Sequence, residues 1–275
     1  MKYFITSIII VHALIAIGQP GISDKEWLKT ITANAINKAP NRTSFLKAPS
    51  GPALYFTKAG DIDVPYLVYV PIGYDPARSQ PAAVFLHGAI LARDSFQYKS
   101  AEIAVEPIFS IADTFNTIVI FPFARQDFKW AGGQIQAFEN IIAIIKQVEQ
   151  DYNIDKKKIY IGGISMGGNA TFWFINNKPE MFAGFYTFSA MPGSGGNTMK
   201  YANITTQKPL YSINAKDDPV FPYIDVEAAH QQHKDEAPGW HFSTVETGGH
   251  RFIYSKGGDK YVKSLLSNLL QSGIK

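Results

Sequence analysis

The chain has 275 residues, 46% hydrophobic and 18% charged, with a net charge of +3. That length supports one substantial core, and scattered lysines and arginines give no footprint for nucleic acid. There is no cysteine, which excludes disulfides, thiolate metal sites and cysteine nucleophiles.

Met1-Lys2 precedes an apolar run from Tyr3 to Ile17, closed by Gly18-Gln19-Pro20. A basic start, an apolar segment too short for a membrane span of about 20 residues and small residues at its end read as a secretory signal peptide. Residues 1–18 are therefore expected to be a leader and 19–275 a single domain, secreted or periplasmic, with no stable membrane insertion after leader removal. An uncleaved anchor is the alternative.

Trp27, Leu28, Ile31 and Ile36 suggest a short amphipathic helix, and the stretch from Pro40 to Pro52 a loop. Ala53–Lys58 and Val64–Val70 read as strands with Asp61 in the turn between them. Ala82 to Leu86 is a continuous apolar run, fitting a strand buried on both faces of a parallel sheet. Tyr98 to Ala112 reads as helix and Thr117 to Phe121 as another buried strand. From Gln134 to Tyr152, apolar residues recur at helical spacing. Lys156-Lys157-Lys158 reads as a solvated loop. Phe182–Phe188, Pro209–Asn214 and Trp240–Val245 read as strands, Ile224–Asp235 as a polar helix, and Tyr261 to Leu270 as part of a last helix with one apolar face. Strands and helices alternate from residue 82 onwards. That pattern predicts an α/β fold, a doubly wound, mostly parallel sheet flanked by helices.

Lys158-Ile159-Tyr160-Ile161 runs into Gly162-Gly163-Ile164-Ser165-Met166-Gly167-Gly168, and a helix-like run follows to Asn177. Strand, Gly-x-Ser-x-Gly and helix together make the pattern of a nucleophile elbow. Ser165 would stand on a strained turn, with Gly163 and Gly167 where neighbouring backbone leaves no room for a Cβ. The Met166 amide, at the helix start, would face an oxyanion.

In an open α/β sheet, ligands sit at the carboxyl ends of the strands. After the strand ending at Leu86 comes His87-Gly88-Ala89, where the Ala89 amide is the expected second oxyanion donor. His87 is expected to orient this loop rather than act as a base, and with Trp130 it makes the pair expected beside the substrate. Trp130 fits a pocket wall and a packed loop aromatic equally. After the strand ending near Asn214 come Asp217 and Asp218. Either could supply the carboxylate that orients a base, the other capping a turn. After the strand ending near Glu246, Gly248-Gly249 precede His250, the expected base. Ser, Asp, His is the chain order of α/β-hydrolases. His230 and His233, three apart on the polar helix, read as a solvated face rather than metal ligands.

From about Val64 onwards the chain resembles the secreted esterase branch of the α/β-hydrolases, the group of feruloyl esterases, polyhydroxybutyrate depolymerase-like enzymes and phospholipase/carboxylesterase relatives. The matching pieces are Tyr69-Val70-Pro71-x-Gly73-Tyr74, Phe85-Leu86-His87-Gly88-Ala89, Ile154-Asp155-x-x-x-Ile159-Tyr160 and Gly163-Ile164-Ser165-Met166-Gly167-Gly168. Pro179-Glu180-x-Phe182-Ala183, Asp218-Pro219-Val220-x-Pro222 and Gly249-His250 complete them. The resemblance implies an α/β-hydrolase fold and a serine esterase in which Ser165, Asp218 and His250 are catalytic, Asp218 being preferred because it directly precedes the Pro-Val step. It implies a small-molecule or polymer-linked ester as substrate and needs no metal and no organic cofactor. The chain lacks the disulfides of many secreted members. A serine peptidase on short peptides and a non-catalytic binding protein on the same fold are the alternative functions.

Overall fold

The structure is a computed structural model, and it describes residues 21–36, 44–193 and 198–272. The leader expected at residues 1–18 lies outside the described residues. Eight strands form one sheet: β1 (Gly51–Ala59), β2 (Ile62–Val70), β3 (Gln80–Leu86), β4 (Ile118–Pro122), β5 (Ile154–Ile164), β6 (Gly184–Phe188), β7 (Leu210–Ala215) and β8 (Trp240–Val245). Their spatial order is β1-β2-β4-β3-β5-β6-β7-β8. The β1–β2 and β2–β4 pairs are antiparallel, and every later pair is parallel.

Alternation along the central strands separates two cores. Ala82, Val84 and Leu86 face one layer, with Phe138, Ile141, Ile145 and Phe174 from α3 (Ile135–Asp151) and α4 (Met166–Asn177). Ala83 and Phe85 face the other, with Trp27 and Ile31 of α1 (Asp24–Ala33), Ile111 of α2 (Ser110–Phe115) and Leu265 and Leu269 of α6 (Asp259–Ser272). Successive side chains of a strand point to opposite faces, so a continuous apolar run needs cover on both sides. Each large side chain removed from water contributes about 1.5–3 kcal/mol. This double cover fixes the sheet and with it the row of loops at its carboxyl edge.

Two stretches depart from expectation. The segment from Tyr98 to Ala112 is not one helix. It holds 3-10 turns at Gln97–Lys99, Ala101–Val105 and Pro107–Phe109 before α2, which ends at Asn116 in the left-handed region (φ 47°). Pro107 disfavours helical backbone at the residue before it, and Glu106 is extended (ψ 125°). The lysine triplet 156–158 is not a loop but the start of β5, which begins at Ile154, where the ladder with β3 is irregular and the side chains reach water. Among the described residues no helix is long and apolar enough to cross a membrane.

Candidate active site

Ser165 stands between β5 and α4 with φ 55° and ψ −117°, a conformation costly for any residue with a Cβ. The strain is held by packing. A Cβ on Gly163 would lie 2.1 Å from the Leu86 carbonyl oxygen, and one on Gly167 would lie 1.9 Å from the same atom. Both glycines therefore let the elbow press onto the end of β3. The Ser165 amide donates to the Phe188 carbonyl at 3.0 Å, which ties the elbow to β6.

His250 enters from the turn after β8. Its Nε2 lies 2.7 Å from Ser165 Oγ, and its Nδ1 lies 2.9 and 3.0 Å from the two oxygens of Asp218. A carboxylate only accepts, so Nδ1 carries the proton and Nε2 is left to accept from the serine. The Asp218 carboxyl group is out of contact with water. Burial alone would raise its pKa, but the hydrogen bond from His250 and those from the amides of Val220 (2.8 Å) and Phe221 (3.1 Å) hold it below the ordinary carboxylate value. The Phe221 ring meets the His250 ring edge to face, with centroids 5.5 Å apart.

The loop after β3 abuts the elbow, a Cβ on Gly88 falling 3.6 Å from that of Ser165. Ala89 is exposed, and neither its amide nor that of Met166, first residue of α4, donates to a described residue. Both are available to an incoming oxygen.

The fold has counterparts among known proteins. The phospholipase/carboxylesterase family profile matches residues 124–259. A bifunctional acetylxylan esterase/xylanase, XynS20E, from Neocallimastix patriciarum is 27% identical over 172 residues, 62% of this chain and 23% of that protein. A thermostable esterase superposes with a TM-score of 0.59 at 23% identity, covering 81% of this chain and 61% of that one. FphF, a fluorophosphonate-binding serine hydrolase of Staphylococcus aureus, superposes with a TM-score of 0.61 at 15% identity, covering 80% of this chain and 99% of that one. The chain has the α/β-hydrolase fold. It spans under a quarter of the curated relative's length.

Within this hydrolase scaffold, two residues expected beside the substrate lie beneath the site instead. His87 is 6% exposed and both ring nitrogens are engaged. The Ala124 amide donates to its Nε2 at 2.9 Å, so Nδ1 must donate to the Gly88 carbonyl at 2.7 Å. Burial lowers its pKa to about 4, and it stays neutral. It is a strut between the β3 loop and the end of β4. Trp130 is 3% exposed and packs edge-on against His87, centroids 4.9 Å apart, so it walls the strut and no open pocket.

Asp217 and Asp218, alternatives in the sequence, do separate work. Asp217 accepts from the amides of Gly248 (3.0 Å) and Gly249 (2.8 Å), and these bonds hold its pKa below the ordinary value. Burial pushes the Glu106 carboxyl up to about 7, a hydrogen bond from Tyr254 and the nearby Arg251 opposing it. Neither contact has a sequence signal, since both join residues far apart in the chain. His230 and His233 are not a solvated pair. His233 stacks on Tyr201 at 3.7 Å, and His230 packs against Trp240 and Phe242 in α5 (Tyr223–His233) and β8 surroundings. No cluster of three metal-ligating side chains occurs among the described residues.

Proposed function

We propose that the protein is a secreted serine esterase that hydrolyses carboxylic esters through an acyl-enzyme on Ser165. The observation that carries this reading is the continuous chain of short contacts from Ser165 Oγ through His250 to Asp218, 2.7 and 2.9 Å, at a strained elbow. Ser165 Oγ attacks the ester carbon while His250 Nε2 takes its proton, a transfer that contributes roughly 10²–10⁴ in rate. Asp218 keeps Nδ1 protonated and stabilises the imidazolium. The oxyanion accepts from the Ala89 and Met166 amides, each such donor contributing about 10²–10³. Collapse breaks the bond to the alcohol, which leaves with the proton from His250. Water, deprotonated by His250, then attacks the acyl-enzyme, and collapse releases the acid and free Ser165.

The match to an acetylxylan esterase/xylanase supports acetyl esters of carbohydrates as the first substrates to try. The apolar run at residues 3–17 supports export. Labelling of the purified protein by a fluorophosphonate, beside Ser165→Ala, tests the reading. Labelling of the wild type that vanishes in the variant is the expected result. A folded wild type that takes no label and cleaves no ester overturns it. Sequencing the N-terminus of exported protein tests the leader, with a start close to residue 19 expected.

A further inference from the structure

We propose that Asp217 is a positioning residue, which sets where His250 stands by holding the two amides before it. The inference rests on the esterase reading for its kinetic consequences, but its structural basis is separate. Gly248 and Gly249 both have positive φ, 131° and 60°, and a Cβ on Gly249 would meet nothing within 4 Å. Phe252 backs Gly248, a Cβ there falling 2.7 Å from its own, but nothing packs on Gly249, and two glycines in a row are the costliest residues to order. What meets both amides is one carboxylate. Gly248 N–H donates to Asp217 Oδ2 and Gly249 N–H to Oδ1, a two-amide cradle for an anion. The next residue in each strand-end loop completes the pattern. Asp218 accepts from His250, so one two-residue step of backbone holds the turn with its first carboxylate and the imidazole with its second. Asp218 fixes the imidazole only if His250 arrives within about half an ångström of its place. Asp217 acts one residue upstream of that arrival and touches neither substrate nor reacting atoms.

The test uses the full chain, with Asp217→Ala, Asp217→Asn and a p-nitrophenyl ester. Asp217→Ala should lower kcat by about tenfold with KM within about twofold, because a misplaced base costs the chemical step and not binding. Asp217→Asn keeps one accepting oxygen and should recover to within about threefold of wild type. A second readout does not need turnover: the low-field proton resonance of the His250 Nδ1–H, which Asp217→Ala should broaden or abolish and Asp217→Asn should retain. If the wild type cleaves no ester, the esterase reading fails while this resonance still decides the role of Asp217. A kcat within twofold of wild type in Asp217→Ala, or where there is no turnover an unchanged His250 resonance, overturns the proposal and leaves Asp217 a turn cap.

Discussion

The elbow that carries Ser165 and the turn that carries His250 are both glycine-rich, yet they are fixed by different means. At the elbow, Gly163 and Gly167 lie against a single backbone oxygen, Leu86 O, at separations no side chain could share. Steric contact on a buried sheet holds the strained serine in place. At the His250 turn, Phe252 backs Gly248 but Gly249 has open space around it, and polar contacts complete the hold: two amides on Asp217 and the Lys216 amide on the Val245 carbonyl (2.9 Å). On the proposed reading, the strained serine is built where the core resists movement, while the histidine is delivered by a turn that packing holds at Gly248 and a carboxylate holds at both glycine amides.

Substitutions can break this contrast at either end. Ser165→Ala should have the largest effect, lowering kcat by about 10⁴–10⁶ while leaving substrate binding nearly intact, measured by steady-state kinetics and ligand titration. Gly167→Ala forces a methyl to 1.9 Å from Leu86 O and should cost about 3 kcal/mol or more by urea unfolding. Gly249→Ala, strained only by its φ of 60°, should cost about 1 kcal/mol in the same assay. Equal costs at the two glycines would erase the distinction between steric and polar fixation.

A pH series sharpens the buried side of it. His87 has a folded pKa of about 4, below its unfolded value near 6.5, so the unfolded chain binds the extra proton between them. Its stabilisation is full above pH 6.5 and is lost as pH falls to 4, a change of about 3 kcal/mol at about 1.4 kcal/mol per unit. His87→Gln, neutral throughout, should flatten that part of the stability curve. The smallest effect is expected on the surface. Lys216→Ala removes an ion pair whose partners are 42% and 78% exposed, and should change stability by under about 1 kcal/mol and kcat by less than about twofold.

What the sequence made legible follows the same division. Gly162 to Gly168 could be read as an elbow because steric exclusion leaves a local mark: glycines at set distances from the serine, after a β-branched strand. The eight strands were legible for a similar reason, as apolar or alternating runs bounded by turn residues. The interval from Tyr98 to Ala112 was misread because its spacing suits a helix, while Pro107 and the Ser100 cap on Glu102 break it into short turns. Residue chemistry alone leaves Asp217 and Asp218 level, and only the resemblance favours Asp218, because their partners, Gly248, Gly249 and His250, lie about thirty residues away. His87 and Trp130 were set beside the substrate because they follow strands at the carboxyl edge. The Ala124 amide, which turns His87 inward, leaves no local trace.

The most direct test is to quench the protein in acid during turnover of an acetyl ester and locate the acyl group by peptide mass analysis. An acetyl adduct on the peptide bearing Ser165, absent in Ser165→Ala, is the result this account predicts. Turnover with no adduct, at a rate that Ser165→Ala retains, would contradict it.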